Sequence, residues 1–146
     1  MIEATDGDVI DYDAIRKRIN ELAATYRIAE VAIDRWNATQ LATQLKGDGF
    51  EVIGFAQAFV CLAAPTKELE RRMIGREVNH GGNPVLRWMA SNVSVNTDPA
   101  GNLKPDKTKS TERIDGIVAT LMALGRAREA NEEEPSRYAS EGLAFV

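Results

Sequence analysis

Four consecutive segments alternate between helical and strand-like patterning across residues 13–56, and this rhythm constrains the fold more than any other feature. From Asp13 to Tyr26, the apolar residues Ile15, Ile19, Leu22 and Tyr26 recur at helical spacing, with Asp11 or Asp13 placed to cap the start. "IAEVAID" is a short, β-branched run ending at Asp34, the composition of a buried strand. "NATQLATQLKGDG" returns to a helical pattern, with Leu41, Ala42 and Leu45 on one face and Gly47 or Gly49 at its stop. "FEVIGFA" is a second strand. Strands joined by helical crossovers predict an α/β sheet with at least two parallel neighbours.

Beyond residue 56 the pattern loosens. "PTKELERRMI" predicts a helix beginning near Pro65 or Thr66, and "NPVLRWMASNV" another, with Asn83 as cap and Pro84 in its first turn. "VSVNTDPAGNLKP" alternates like a strand and then gathers the turn residues Asp98, Pro99, Gly101 and Asn102, which fits a short hairpin or an ordered loop. "STERIDGIVATLMALGRA" predicts an amphipathic helix capped by Ser110 or Thr111, with Ile114, Ile117, Val118, Leu121 and Leu124 as its buried stripe. The charged "REANEEEPSRY" that follows contains Pro135 and is expected to be a linker into the short tail "ASEGLAFV". The expected division is a domain over residues 1–130 and a charged linker and tail over 131–146.

Several function classes are excluded. Net charge is −4, so no global basic field draws polyanions, and a nucleic-acid contact needs a local patch or a metal. A single cysteine, Cys61, rules out an internal disulfide framework and any multi-cysteine zinc site. With one histidine, His80, there is no His-based metal cluster. Neither a phosphate-binding P-loop nor a Gly-x-Ser-x-Gly elbow is present. No apolar run approaches the roughly 20 residues of a membrane span, and the acidic start "MIEATDGDVIDYD" is no signal peptide.

Two carboxylates stand in apolar settings. Asp34 closes the run Val31-Ala32-Ile33, where a parallel strand reaches its carboxyl end, the edge at which open α/β sheets bind ligands. Asp115 precedes Val118, Ala119 and Met122 at helical spacings that set it above an apolar face, where an unpaired carboxylate is costly. Two such acids can converge on a hard divalent cation, which takes oxygen ligands and keeps waters and substrate phosphates in its shell. The plainer alternatives are a turn residue at Asp34, in "DRWNAT", and a solvent-facing helical acid at Asp115. Lys104, Lys107, Lys109 and Arg113 form the densest basic stretch, immediately before Asp115; a phosphate contact and a solvated loop both account for it.

Taken in order, "VAIDRWNATQLATQL", "PTKELERRMI", "HGGNPVLRWMASNV" and "GNLKPDKTKSTERIDGIVATLMAL" resemble the carboxyl-terminal nuclease domain of the large terminase subunit of tailed bacteriophages. "SRYASEGLAFV" is similar to the family's tail. The resemblance implies a ribonuclease H-like fold, a mixed sheet flanked by helices, whose acids bind two Mg²⁺ or Mn²⁺ ions and which cuts concatemeric double-stranded DNA during packaging. It implies that Asp34 is the family's second acid and Asp115 its last, both as metal ligands, with Lys107, Lys109 and Arg113 on the DNA backbone. The family's first metal-binding Asp lies on a strand ahead of the position where this sequence starts. None of Asp6, Asp8, Asp11 or Asp13 is promoted to replace it. The resemblance therefore implies a partial nuclease domain with an incomplete site, leaving open whether the chain is an enzyme by itself. Implied partners are the terminase small subunit, the portal protein or the rest of the large subunit, in the cytoplasm of the bacterial host and away from membrane. The alternatives are a non-catalytic assembly module docking on the motor or another viral subunit, and an unrelated α/β domain.

Overall fold

The computed structural model describes residues 9–34 and 38–133, with side chains described through residue 130. The chain divides into two compact units, Met1–Ala56 and Gln57–Val146. In the first, α1 (Tyr12–Ala23) begins where Asp11 accepts hydrogen bonds from the amides of Asp13 and Ala14, at 2.9 and 3.0 Å. It is followed by β1 (Val31–Asp34), α2 (Thr39–Gly47) and β2 (Val52–Phe55). β1 and β2 pair in parallel, Val31 opposite Val52 and Asp34 opposite Phe55, as the alternating pattern requires. Leu41, Leu45 and Val52 form the core of this unit, covered by Tyr12, Ile19, Val31, Ile33, Ala42 and Phe50. Leu41 and Leu45 lie one helical turn apart, so α2 lays a single apolar edge over the strand pair.

The second unit contains α3 (Phe59–Ile74), α4 (Pro84–Asn92), β3 (Val95–Thr97), β4 (Leu103–Pro105) and α5 (Asp115–Glu133). α3 packs on α5 and β4, and α4 packs on α5. The buried side chains come from those elements: Leu62, Ala63 and Pro65 of α3, and Val118, Leu121 and Met122 of α5, with Ile114 just before it. Asn83 caps α4 by accepting from the amides of Val85 and Leu86, and Pro84 takes the first helical position. "VSVNTDPAGNLKP" is a hairpin, with β3 and β4 antiparallel and Val95 opposite Pro105. Its turn is closed by Asp98, whose carboxylate accepts from the amides of Ala100 and Asn102 while Gly101 takes a φ of 78°.

Two helix starts differ from the sequence expectation. α3 begins at Phe59 and runs through Pro65. Pro65 removes one amide donor from the helix, but its ring is buried in the same apolar face as Leu62, and that burial carries the helix past the proline. α5 begins at Asp115, not after a Ser110 or Thr111 cap. The Ser110 hydroxyl instead donates to the carbonyl of Asp106 at 2.7 Å and accepts from the amide of Ser94 at 3.1 Å, tying the segment to the hairpin. At its other end α5 continues through Glu133, past the "REANEE" that composition marked as linker. Among the described residues the strands form two separate two-stranded sheets. The expected "SRYASEGLAFV" tail, Asp6, Asp8 and the "RWN" following Asp34 lie outside the described residues.

Candidate metal centre

Asp34 is the last residue of β1, half-buried, at the carboxyl edge of the parallel pair. This is where the sequence put it, and where a crossover fold leaves room for a ligand. Asp115 belongs to the second unit and differs from expectation. It is the first residue of α5, its side chain is 61% exposed, and its Oδ1 accepts a hydrogen bond from Lys107 Nζ at 2.9 Å. An acid in a packed apolar face would carry a desolvation cost; Asp115 escapes it because it is the first residue of the helix, where its side chain projects past the helix start with no preceding turn to cover it. At that position it also faces the positive end of the helix dipole. The hydrogen bond from Lys107 holds its carboxyl below the usual carboxylate range against an opposing desolvation effect, with lesser help from the charges of Lys107 and Arg113.

The glycine beside Asp115 leaves space for α4. A Cβ at Gly116 would lie 2.8 Å from Met89 Sδ and 3.4 Å from Leu86 Cδ1, so α4 closes directly on this turn. The Gly116 amide also points at Met89 Sδ, 3.2 Å away. Sequence reading took "DG" only for its acid; the glycine beside it is what admits α4.

The basic stretch is not one uniform patch. Lys104 is on β4, its Nζ 3.4 Å from the carbonyl of Gln57 and 5.0 Å from the centroid of the Phe59 ring, a cation–π contact that secures it to the start of α3. Lys107 is committed to Asp115, and Lys109 Nζ lies 3.9 Å from Asp106 Oδ2. Arg113 is exposed. Asp106 organises the loop between them: one carboxylate oxygen accepts from both the amide and the hydroxyl of Thr108, at 2.9 and 2.6 Å, which keeps its carboxyl ionised below the ordinary range. A cavity of about 260 Å³ opens here, lined by Gln57, Asn96, Lys104, Asp106, Lys107 and Thr108 over an apolar floor of Leu62, Pro105 and Val118. Gln57, Asn96 and Thr108 were not singled out from sequence; the Asp-x-Thr spacing at 106–108 was the one local signal for them.

The donor chemistry fits a hard divalent cation of the magnesium type. Both candidate ligands are carboxylates, and Asp115 already has a cation, the Lys107 ammonium, seated on an outward-facing oxygen. Among the described residues no group of three His, Cys, Asp or Glu side chains forms a closed cage.

The family described as terminase large subunit, endonuclease domain, matches residues 1–132. The chain is 35% identical over 129 residues to a terminase large subunit of Enterobacteria phage HK97, covering 87% of this chain and 26% of the relative. It is 31% identical over 136 residues to Protein YmfN of Escherichia coli (strain K12), covering 92% of this chain and 30% of that protein. A crystal structure of the HK97 bacteriophage large terminase superposes with a TM-score of 0.73 at 35% identity, over 80% of this chain and 25% of that one. The α/β, ribonuclease H-like class expected from sequence is the class observed. The chain spans less than a third of the length of these relatives. No helix among the described residues is long and apolar enough to cross a membrane.

Proposed function

The chain belongs to the terminase large-subunit endonuclease family, and from that premise we propose that it is the metal-dependent DNA-cutting part of a phage packaging enzyme. Asp34 and Asp115 are its metal ligands, Mg²⁺ or Mn²⁺ its cofactor, and concatemeric double-stranded DNA its substrate. The observation that carries this reading is Asp115: an outward carboxylate on a helix start, already holding a cation, at the position the family resemblance assigns to its last acid.

The bound metal would supply an activated water and charge stabilisation at the phosphorus. The chain's own residues do the rest. Asp115 presents its carboxylate from the first residue of α5, beside the contact of Gly116 with Met89. Asp34 presents a second hard oxygen donor from a strand end. Lys107, Lys109 and Arg113 lie within eight residues before Asp115 and supply positive charge for the phosphate backbone on a chain that is otherwise acidic. The packaging machinery, including the small subunit, the portal and the remainder of a large subunit, is the partner set this role implies, in the cytoplasm of the host bacterium.

The test is purified protein incubated with supercoiled plasmid and Mn²⁺. Slow, Mn²⁺-dependent nicking that disappears in both Asp34→Ala and Asp115→Ala is the expected result. Nicking that survives both substitutions would overturn the assignment.

A further inference from the structure

Lys107 and Asp115 form an exposed ion pair, the lysine side chain 48% and the aspartate 61% accessible, with 2.9 Å between Nζ and Oδ1. Pairs this open contribute little and exchange readily with other ions. The same lysine borders the 260 Å³ cavity, which also takes in the cation Lys104, held by Phe59 and Gln57. One wall of that cavity thus carries a fixed cation and an exchangeable one, beside a carboxylate assigned to metal.

Resting on the reading of Asp115 as a metal ligand, we propose that Lys107 is an exchangeable counter-ion: it occupies Asp115 in the metal-free protein, yields that oxygen to a divalent cation, and then serves nucleic-acid phosphate beside Lys104. A divalent ion on the same carboxylate oxygen brings twice the charge of the ammonium and repels it, so the two cannot share the position. Lys107 cannot leave the neighbourhood, because its backbone is eight residues from Asp115 in a loop anchored by Asp106 and Ser110. The released ammonium therefore stays at the cavity edge, where Lys104, Lys109 and Arg113 are the neighbouring cations and Asp106 the neighbouring acid. Metal loading and phosphate binding then strengthen one another, and by linkage each raises the affinity for the other by the same factor.

The experiment is a Mn²⁺ titration of the full chain, followed by the electron paramagnetic resonance signal of free Mn²⁺, for wild type, Lys107→Met, Lys107→Arg and Asp115→Asn. Removing the competing ammonium is expected to tighten Mn²⁺ binding by about two- to five-fold in Lys107→Met. Lys107→Arg keeps the charge and stays near wild type, while Asp115→Asn weakens binding. A second arm measures anisotropy of a short labelled duplex with and without Ca²⁺, where Ca²⁺ should strengthen DNA binding more in wild type than in Lys107→Met. Lys107→Met binding Mn²⁺ no tighter than wild type, with Asp115→Asn still weakened, would overturn the counter-ion role and leave the metal assignment standing. Asp115→Asn binding Mn²⁺ like wild type would overturn the metal assignment itself, and the counter-ion role with it.

Discussion

Asp48 and Asp115 are both ion-paired aspartates at helix ends, and they are built for opposite purposes. Asp48 follows α2 and is gripped on both oxygens by the Arg16 guanidinium, with Nε 2.6 Å from Oδ2 and Nη2 on Oδ1, while Asn20 donates a third bond at 2.9 Å. Its side chain is only 15% exposed, and the Arg16 and Asn20 hydrogen bonds lower its carboxyl to about 2. A planar fork matched to a carboxylate is a fixed joint. Asp115 receives a single flexible ammonium on one oxygen and leaves most of its surface to solvent. The first acid clips α1 to the end of α2. The second has an open carboxylate, which suits the metal-ligand role proposed for it.

Substitutions can break that contrast at four points. Gly116→Val should have the largest effect, costing about 1–2 kcal/mol because the flexible end of Met89 must swing aside and the branched side chain then crowds Leu86. Chemical denaturation reads the loss. Arg16→Met comes next, lowering the melting temperature at neutral pH. The depressed Asp48 carboxyl contributes stability that is fully present above its ordinary value of 3.8 and is lost as pH falls toward about 2. Melts of wild type and Arg16→Met across that window should therefore converge, whereas a gap that persists to the acid end would show the joint is not electrostatic. Asn83→Ala removes two amide bonds at the start of α4 and should cost about 1 kcal/mol in the same denaturation assay. Asp115→Asn should change stability least, by under about 0.5 kcal/mol, while ending Mn²⁺-dependent nicking. A large stability loss there would make Asp115 a structural acid like Asp48 and erase the contrast.

The first unit was the more legible from sequence. Period and composition marked every element from α1 to β2, although α1 ends at Ala23, short of the exposed Tyr26; the Asn83 cap could be read directly, and the α1 cap narrowed to Asp11 or Asp13, because capping depends on a few adjacent residues. The helix starts at Phe59 and Asp115 could not, because burial decided both: Pro65 is held inside α3 by its apolar face, and Ser110 is drawn to the hairpin. The consequence for Asp115 was large. A stripe drawn back to Ser110 sets residue 115 over the core, while a helix beginning at 115 turns it to solvent. The Lys107 partnership was equally hidden, since it joins residues eight apart across a loop whose shape is set by the Asp106–Thr108 bonds. Gly116 shows the same limit, for its role exists only once α4 is brought against α5.

Diffraction from crystals of the chain soaked in Mn²⁺, recorded to reveal the ion's anomalous signal, tests the central claim most directly. The account predicts a peak coordinated by the Asp115 carboxylate, with Lys107 Nζ withdrawn from it. An ordered Mn²⁺ not bound by Asp115, or the Lys107–Asp115 pair intact at saturating metal with no peak beside it, would contradict it.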